Sequence, residues 1–88
     1  MKIKEGFMIR EVAGYNVVVP VGDAAVDFNG MINLNETGAL LWRTLLNGAE
    51  ESDLVAALLA EYDVTEDIAK QDVSGFIMKM REANLIDE

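Results

Sequence analysis

The sequence predicts an α+β domain in which a small antiparallel sheet comes first and three helices follow. Three observations predict it. Phe7 to Val12 (FMIREV) and Tyr15 to Pro20 (YNVVVP) are apolar, β-branched runs parted only by Ala13-Gly14. From Asn35 onward, apolar residues recur at helical spacing behind three cap-type residues, Asn35, Ser52 and Thr65. Finally, 88 residues make one core and no more, so residues 1–88 form a single domain. Strands followed by helices in one chain is the pattern of segregated α+β layers.

A two-residue connection ending in glycine suits a tight hairpin, because glycine takes positive φ without a Cβ clash. Pairing Val12 with Tyr15 places Met8, Arg10, Val12, Tyr15, Val17 and Val19 on one face. Phe7, Ile9 and Val18 take the other. Both faces are partly apolar, so alternation leaves open which is buried. Pro20 has no donor and belongs at the end of the ladder. After a wider connection over Val21 to Asn29, with Gly22-Asp23 as a turn, Gly30 to Leu34 (GMINL) reads as a third strand.

Local turns make the three strands a meander with the second in the middle. The two edges then differ. The first is flanked by Lys2, Lys4 and Glu5 and contains Arg10 and Glu11, charges that discourage edge-to-edge pairing. The third, from Phe28 to Leu34, has no charge and no proline. Such an edge is either covered by the protein's own helix or available to another chain.

Asn35 opens the first helix as an N-cap, accepting from the amide of Thr37 or Gly38. Its inward stripe is Gly38, Leu41, Trp42, Leu45, Leu46 and Ala49, ended by Asn47-Gly48. Ser52 caps a second helix with Leu54, Val55, Leu58, Leu59 and Tyr62 inward. Thr65 caps a third, whose stripe is Ala69, Val73, Phe76, Ile77 and Met80. Glu66 and Asp67 suit its positive end, and Lys79 and Arg81 its negative end. The helix fades at Asn84, and Leu85 and Ile86 form a short extended tail. Gly38 and Gly75 suit close helix packing.

Composition narrows the chemistry. There is no cysteine and no histidine, so disulfides, thiolate metal sites and the usual nucleophile–base pairs are excluded. No phosphate loop or EF-hand spacing appears. Carboxylates fall on helix starts and exposed faces, as a solvated acidic surface would have them. This is not the sequence of an enzyme, and it implies no metal or cofactor. Sixteen acids against seven bases give a net charge of −9, a field that repels phosphate backbones and favours neutral or basic partners. A DNA-binding winged helix would need basic residues where Glu50, Glu51, Asp53 and Glu61 stand. A homodimer pairing its own third strands is the other alternative. The N-terminus lacks the apolar run of a signal peptide, so the expectation is a cytoplasmic protein without a membrane partner. Trp42, on the apolar stripe, reads as core. Phe76 fits the core or a groove wall, and Met31 and Met78 would suit an adaptable peptide groove.

Leu34-Asn35-x-Thr37-Gly38 followed by Trp42 resembles the central motif of the coenzyme PQQ synthesis protein D family. So do Val18-Val19-Pro20-Val21-Gly22 before it and Asp72-Val73-x-x-Phe76-Ile77 after it. The closing Arg81-Glu82-Ala83-Asn84-Leu85-Ile86 matches as well, with Asn84 where glycine is common. The resemblance implies a winged helix-turn-helix-like, PqqD-like recognition element for ribosomally made precursor peptides. It further implies that a leader peptide adds as a strand to the third strand, in a groove closed by the third helix. The peptide would then be presented to a modifying enzyme, often a radical S-adenosylmethionine enzyme, in PQQ biosynthesis or another pathway. Carried over by position, the peptide-binding residues are Gly30, Met31, Ile32, Asn33 and Leu34 on the strand, and Asp72, Gly75, Phe76 and Lys79 on the helix. Proline at Ile32 should then remove a strand donor from this edge.

Overall fold

Residues 1–22 and 32–87 are described by the computed structural model. Their elements run β1 (Lys2–Ile3), β2 (Phe7–Val12), β3 (Tyr15–Pro20), β4 (Ile32–Leu34), α1 (Glu36–Leu45), α2 (Glu51–Glu61), α3 (Glu66–Glu82) and β5 (Ile86–Asp87). Strands β2, β3 and β4 form an antiparallel meander in that order. This is the winged helix-turn-helix-like α+β arrangement the sequence predicts. Gly30, Met31, Asp23 and most of the Val21–Asn29 connection lie outside the described residues.

The hairpin has the predicted ends and register, Val12 opposite Tyr15. Ala13 and Gly14 both take positive φ, +51° and +83°. Two positive-φ residues match the right-handed twist of the flanking strands, and only the alanine is strained by it. The buried face of the sheet is the one bearing Phe7, Ile9, Val18, Ile32 and Leu34, all packed on the helices. Met8, Val12 and Tyr15 on the opposite face are exposed.

Helix α1 begins where Asn35 Oδ1 accepts the Gly38 amide at 2.8 Å and the Thr37 hydroxyl at 2.9 Å. It buries Gly38, Ala39, Leu41, Trp42 and Leu45. The inward stripe stops there: Leu46 is the exposed C-cap and Ala49 lies beyond the helix. Gly48, at φ +89°, turns the chain away.

The start of α2 corrects the sequence expectation. Glu50, not Ser52, is the N-cap, because the Asp53 carboxylate reaches back to the Glu50 amide at 2.9 Å. A reciprocal carboxylate at the third helical position moves the start two residues upstream, and Ser52 stands exposed in the first turn. Leu59 is likewise exposed and Tyr62 only half-buried, so the inward face is Leu54, Val55 and Leu58.

Helix α3 buries Ala69, Val73, Phe76, Ile77 and Met80, the stripe its spacing predicts, and Thr65 Oγ1 accepts from Ile68 N at its start. Its end explains Asn84. The Leu85 amide donates to Met80 O at 2.9 Å and the Asn84 amide to Arg81 O at 3.0 Å, the paired bonds of a Schellman stop. Such a stop puts its turning residue in the left-handed region, where Asn84 sits at φ +61°. Asparagine tolerates that region better than other residues bearing a Cβ, so it replaces glycine at modest cost. Asn84→Ala should therefore lower stability by about 1 kcal/mol, roughly 4–8 °C in Tm, as read by thermal unfolding.

Beyond the stop, Leu85 and Ile86 are buried, and β5 pairs with β1: Ile86 opposite Ile3, Asp87 opposite Lys2. The short extended tail read from the sequence is there and packed, and its pairing with β1 into a two-stranded clasp is what that reading lacks. A two-residue ladder has no periodicity to detect. It closes the chain over one core containing Val18, Trp42, Leu45, Leu58, Met80 and Leu85.

Candidate functional site

Which way the β4 backbone points follows from the hairpin register. A two-residue turn makes its flanking pair, Val12 and Tyr15, a hydrogen-bonded pair, and such pairs alternate along an antiparallel ladder. Arg10–Val17 and Met8–Val19 follow, and the Val21 amide donates to Gly6 O at 2.7 Å in the same phase. Asn16 and Val18 therefore direct their backbone groups towards β4, where they meet Leu34 and Ile32. Asn33 lies between, and its N–H and C=O point to the outer edge. Among the described residues no strand lies beyond it.

One expectation is corrected by this phase. The Ile32 amide serves the β3–β4 ladder, so proline at Ile32 would break the sheet instead of removing an edge donor. The outward donor in the described part of β4 belongs to Asn33.

Across from this edge runs α3, and between them lies a groove of about 490 Å³. Asn33 and Leu34 form its strand side, and Asp72, Gly75, Phe76 and Lys79 its helix side. All four helix positions singled out in the sequence thus come together, since residues three, four and seven apart share a helix face. Gln71 joins them, one turn before Gly75, as do Asn35, Thr37, Gly38 and Leu41 from the start of α1. Gln71 was findable from the same helical spacing. The α1 residues were not, because their stripe reads as core alone.

Each side chain has a distinct part. Leu34 is 7% exposed and Phe76 8%, so both belong to the core while presenting an apolar floor. Ile32 is half-buried on the core side and does not line the groove. Gly75 does not pack closely on a helix as expected: a Cβ there would meet nothing within 4 Å. Its missing side chain widens the groove instead. Gly38 is closely packed, but against its own cap and β4 and not against a helix: a Cβ would stand 3.1 Å from Asn35 Oδ1 and 3.4 Å from the Leu34 side chain. Lys79 spans the groove and donates from Nζ to the Asn33 carbonyl at 3.2 Å. Met78 is exposed and is not part of the lining, and Met31 lies outside the described residues. Among the described residues no group of three acidic side chains is arranged to hold a metal, and no helix is long and apolar enough to cross a membrane.

Comparison with solved structures finds the same fold. A chain described as "TbiB1 in Complex with the TbiA(beta) Leader Peptide" superposes with a TM-score of 0.76 at 21% identity, covering 99% of this chain and 95% of its own. A chain described as "Lasso peptide synthetase B1 complexed with the leader peptide" gives 0.72 at 20% identity, covering 96% and 93%. No curated protein sequence matches the chain. Residues 16–86 match the family described as coenzyme PQQ synthesis protein D (PqqD), a span from β3 to the end of α3 and into β5. That span holds the β4 edge, the Asn35 cap and the groove face of α3 together, and by it the chain belongs to the coenzyme PQQ synthesis protein D family.

Proposed function

We propose that this protein binds the leader segment of a ribosomally synthesised precursor peptide as an added strand along β4, and presents it to a modifying enzyme. The observation that carries the reading is the outward-pointing backbone of Asn33, set beside an apolar-floored groove instead of under a covering helix. An edge of this kind supplies affinity through main-chain hydrogen bonds at a strand spacing of about 4.8 Å, and selects alternate side chains through its groove. The two solved relatives are described with leader peptides, and family membership points the same way.

In the described residues the strand side of the site is Asn33 and Leu34, and the helix side is Asp72, Gly75, Phe76 and Lys79. The protein acts as a binding module, not a catalyst: it has no histidine or cysteine, and among the described residues no three acidic side chains come together to hold a metal. A radical S-adenosylmethionine enzyme in the cytoplasm is the partner we favour, in PQQ formation or another peptide-derived pathway. Ordering a flexible leader costs about 2–5 kcal/mol, so affinity depends on burying apolar side chains over Leu34 and Phe76.

The test is titration calorimetry with synthetic leaders from short reading frames encoded beside the gene. One leader should bind with a negative heat-capacity change and weak salt dependence. If none does, and duplex DNA binds with steep salt dependence, the DNA-binding reading wins. If sedimentation instead shows a concentration-dependent dimer that no peptide dissolves, β4 pairs with its own copy.

A further inference from the structure

Lys79 occupies the acceptor that an added strand would need. Its ammonium donates to the Asn33 carbonyl at 3.2 Å, and the register turns that carbonyl to the outer edge of β4. Among the described residues lining the groove, Asp72 and Lys79 carry charge, and Lys79 alone is a cation. Both Asn33 and Lys79 are exposed, so the bond can open without disturbing the core.

Resting on the strand-addition reading above, we infer that Lys79 is a displaceable plug on the β4 edge that selects peptides carrying an acidic side chain. In the peptide-free protein the ammonium satisfies the Asn33 carbonyl and so protects an edge that has no charge of its own to discourage pairing. A peptide N–H takes over that carbonyl on binding. The released ammonium then needs an acceptor, and a neutral peptide supplies no carboxylate for it.

Geometry says where the acceptor sits. If the peptide adds antiparallel to β4, as every pair in this sheet does, the peptide residue bonded to Asn33 is directly opposed to it and shares the face of the Asn33 side chain. Its two neighbours point to the face of Ile32 and Leu34, towards α3. An aspartate or glutamate immediately before or after the bonded residue therefore meets Lys79. The overall charge of −9 favours basic leaders at long range. Lys79 asks for an acid at one position within them.

The experiment selects a displayed library of random 12-residue peptides on the wild-type protein, Lys79→Met and Lys79→Glu, each first checked for native circular dichroism. Wild type should enrich Asp or Glu at one position, Lys79→Met should lose that preference, and Lys79→Glu should exchange it for Lys or Arg. A selected acidic peptide should bind Lys79→Met about two- to fivefold more weakly than wild type, the size of one exposed ion pair. Its alanine counterpart should bind Lys79→Met more tightly than wild type, because no plug remains. A general structural defect would shift both peptides the same way. Peptides that bind at Asn33 with identical preferences in all three proteins would overturn the Lys79 role and leave strand addition standing. A failure to select any peptide that shifts the Asn33 amide would overturn both.

Discussion

Replacing Gly75 by tryptophan removes peptide binding and leaves the domain folded. Gly75 is exposed on α3, lines the groove, and has open space where a Cβ would stand. Glycine within a helix costs about 1 kcal/mol relative to alanine, so any helix-competent residue here should hold or raise stability. Gly75→Ala, the control, should gain about 0.5–1 kcal/mol and still bind. The indole of Gly75→Trp projects into the volume that an added strand would fill opposite Asn33. Binding should fall at least about 100-fold, some 2.7 kcal/mol, as measured by calorimetry with the same leader peptide. Undiminished affinity with a raised Tm would mean that the peptide does not pass between β4 and α3.

Trp42→Ala has the largest expected effect on stability. Trp42, on α1, is fully buried in the core cluster that the sheet and the helices share. Truncating a buried tryptophan costs about 3–5 kcal/mol. An ordinary domain has only about 5–15 kcal/mol in total, and this one is small. Tm should fall by about 12 °C or more. Circular dichroism must follow it, since Trp42 is the only tryptophan. Trp42→Phe should behave quite differently. The indole Nε1 is buried with no hydrogen-bond partner among the described residues. Phenylalanine removes that unsatisfied donor, worth about 1–3 kcal/mol, and offsets much of the smaller ring's lost packing. The variant should remain within about 1.5 kcal/mol of wild type.

Much of this fold is legible in the sequence because local chemistry and global packing agree. Ala13-Gly14 fixes the hairpin register, Asn35 and Thr65 start their helices, and the Ala69–Met80 stripe alone gives the buried face of α3. Where two local signals compete, the reading fails. Ser52 is a good cap residue, but Asp53 bonding the Glu50 amide wins by closing the turn earlier. The β1–β5 clasp depends on Lys2–Ile3 meeting Ile86–Asp87, more than eighty positions away, which no local pattern records.

The candidate site divides in the same way. Asp72, Gly75, Phe76 and Lys79 are legible through helical spacing and family resemblance, and they line one groove. Residue types alone do not give the alternation of backbone direction along β4, so the sequence reading places an edge donor at Ile32. Its partner Val18 shows that Asn33 faces out. The Lys79–Asn33 bond, joining residues 46 positions apart, has no signature in either segment.

The most direct measurement is amide NMR of the uniformly labelled protein, titrated with the leader peptide that binds by calorimetry and followed by hydrogen exchange. Strand addition at β4 predicts that signals of Asn33, Leu34, Gly75, Phe76 and Lys79 move together, and that the Asn33 amide becomes protected from exchange. Shifts that cluster on Phe7–Val12, with the Asn33 amide unmoved and exchanging as before, would place the peptide on the opposite edge of the sheet and contradict it.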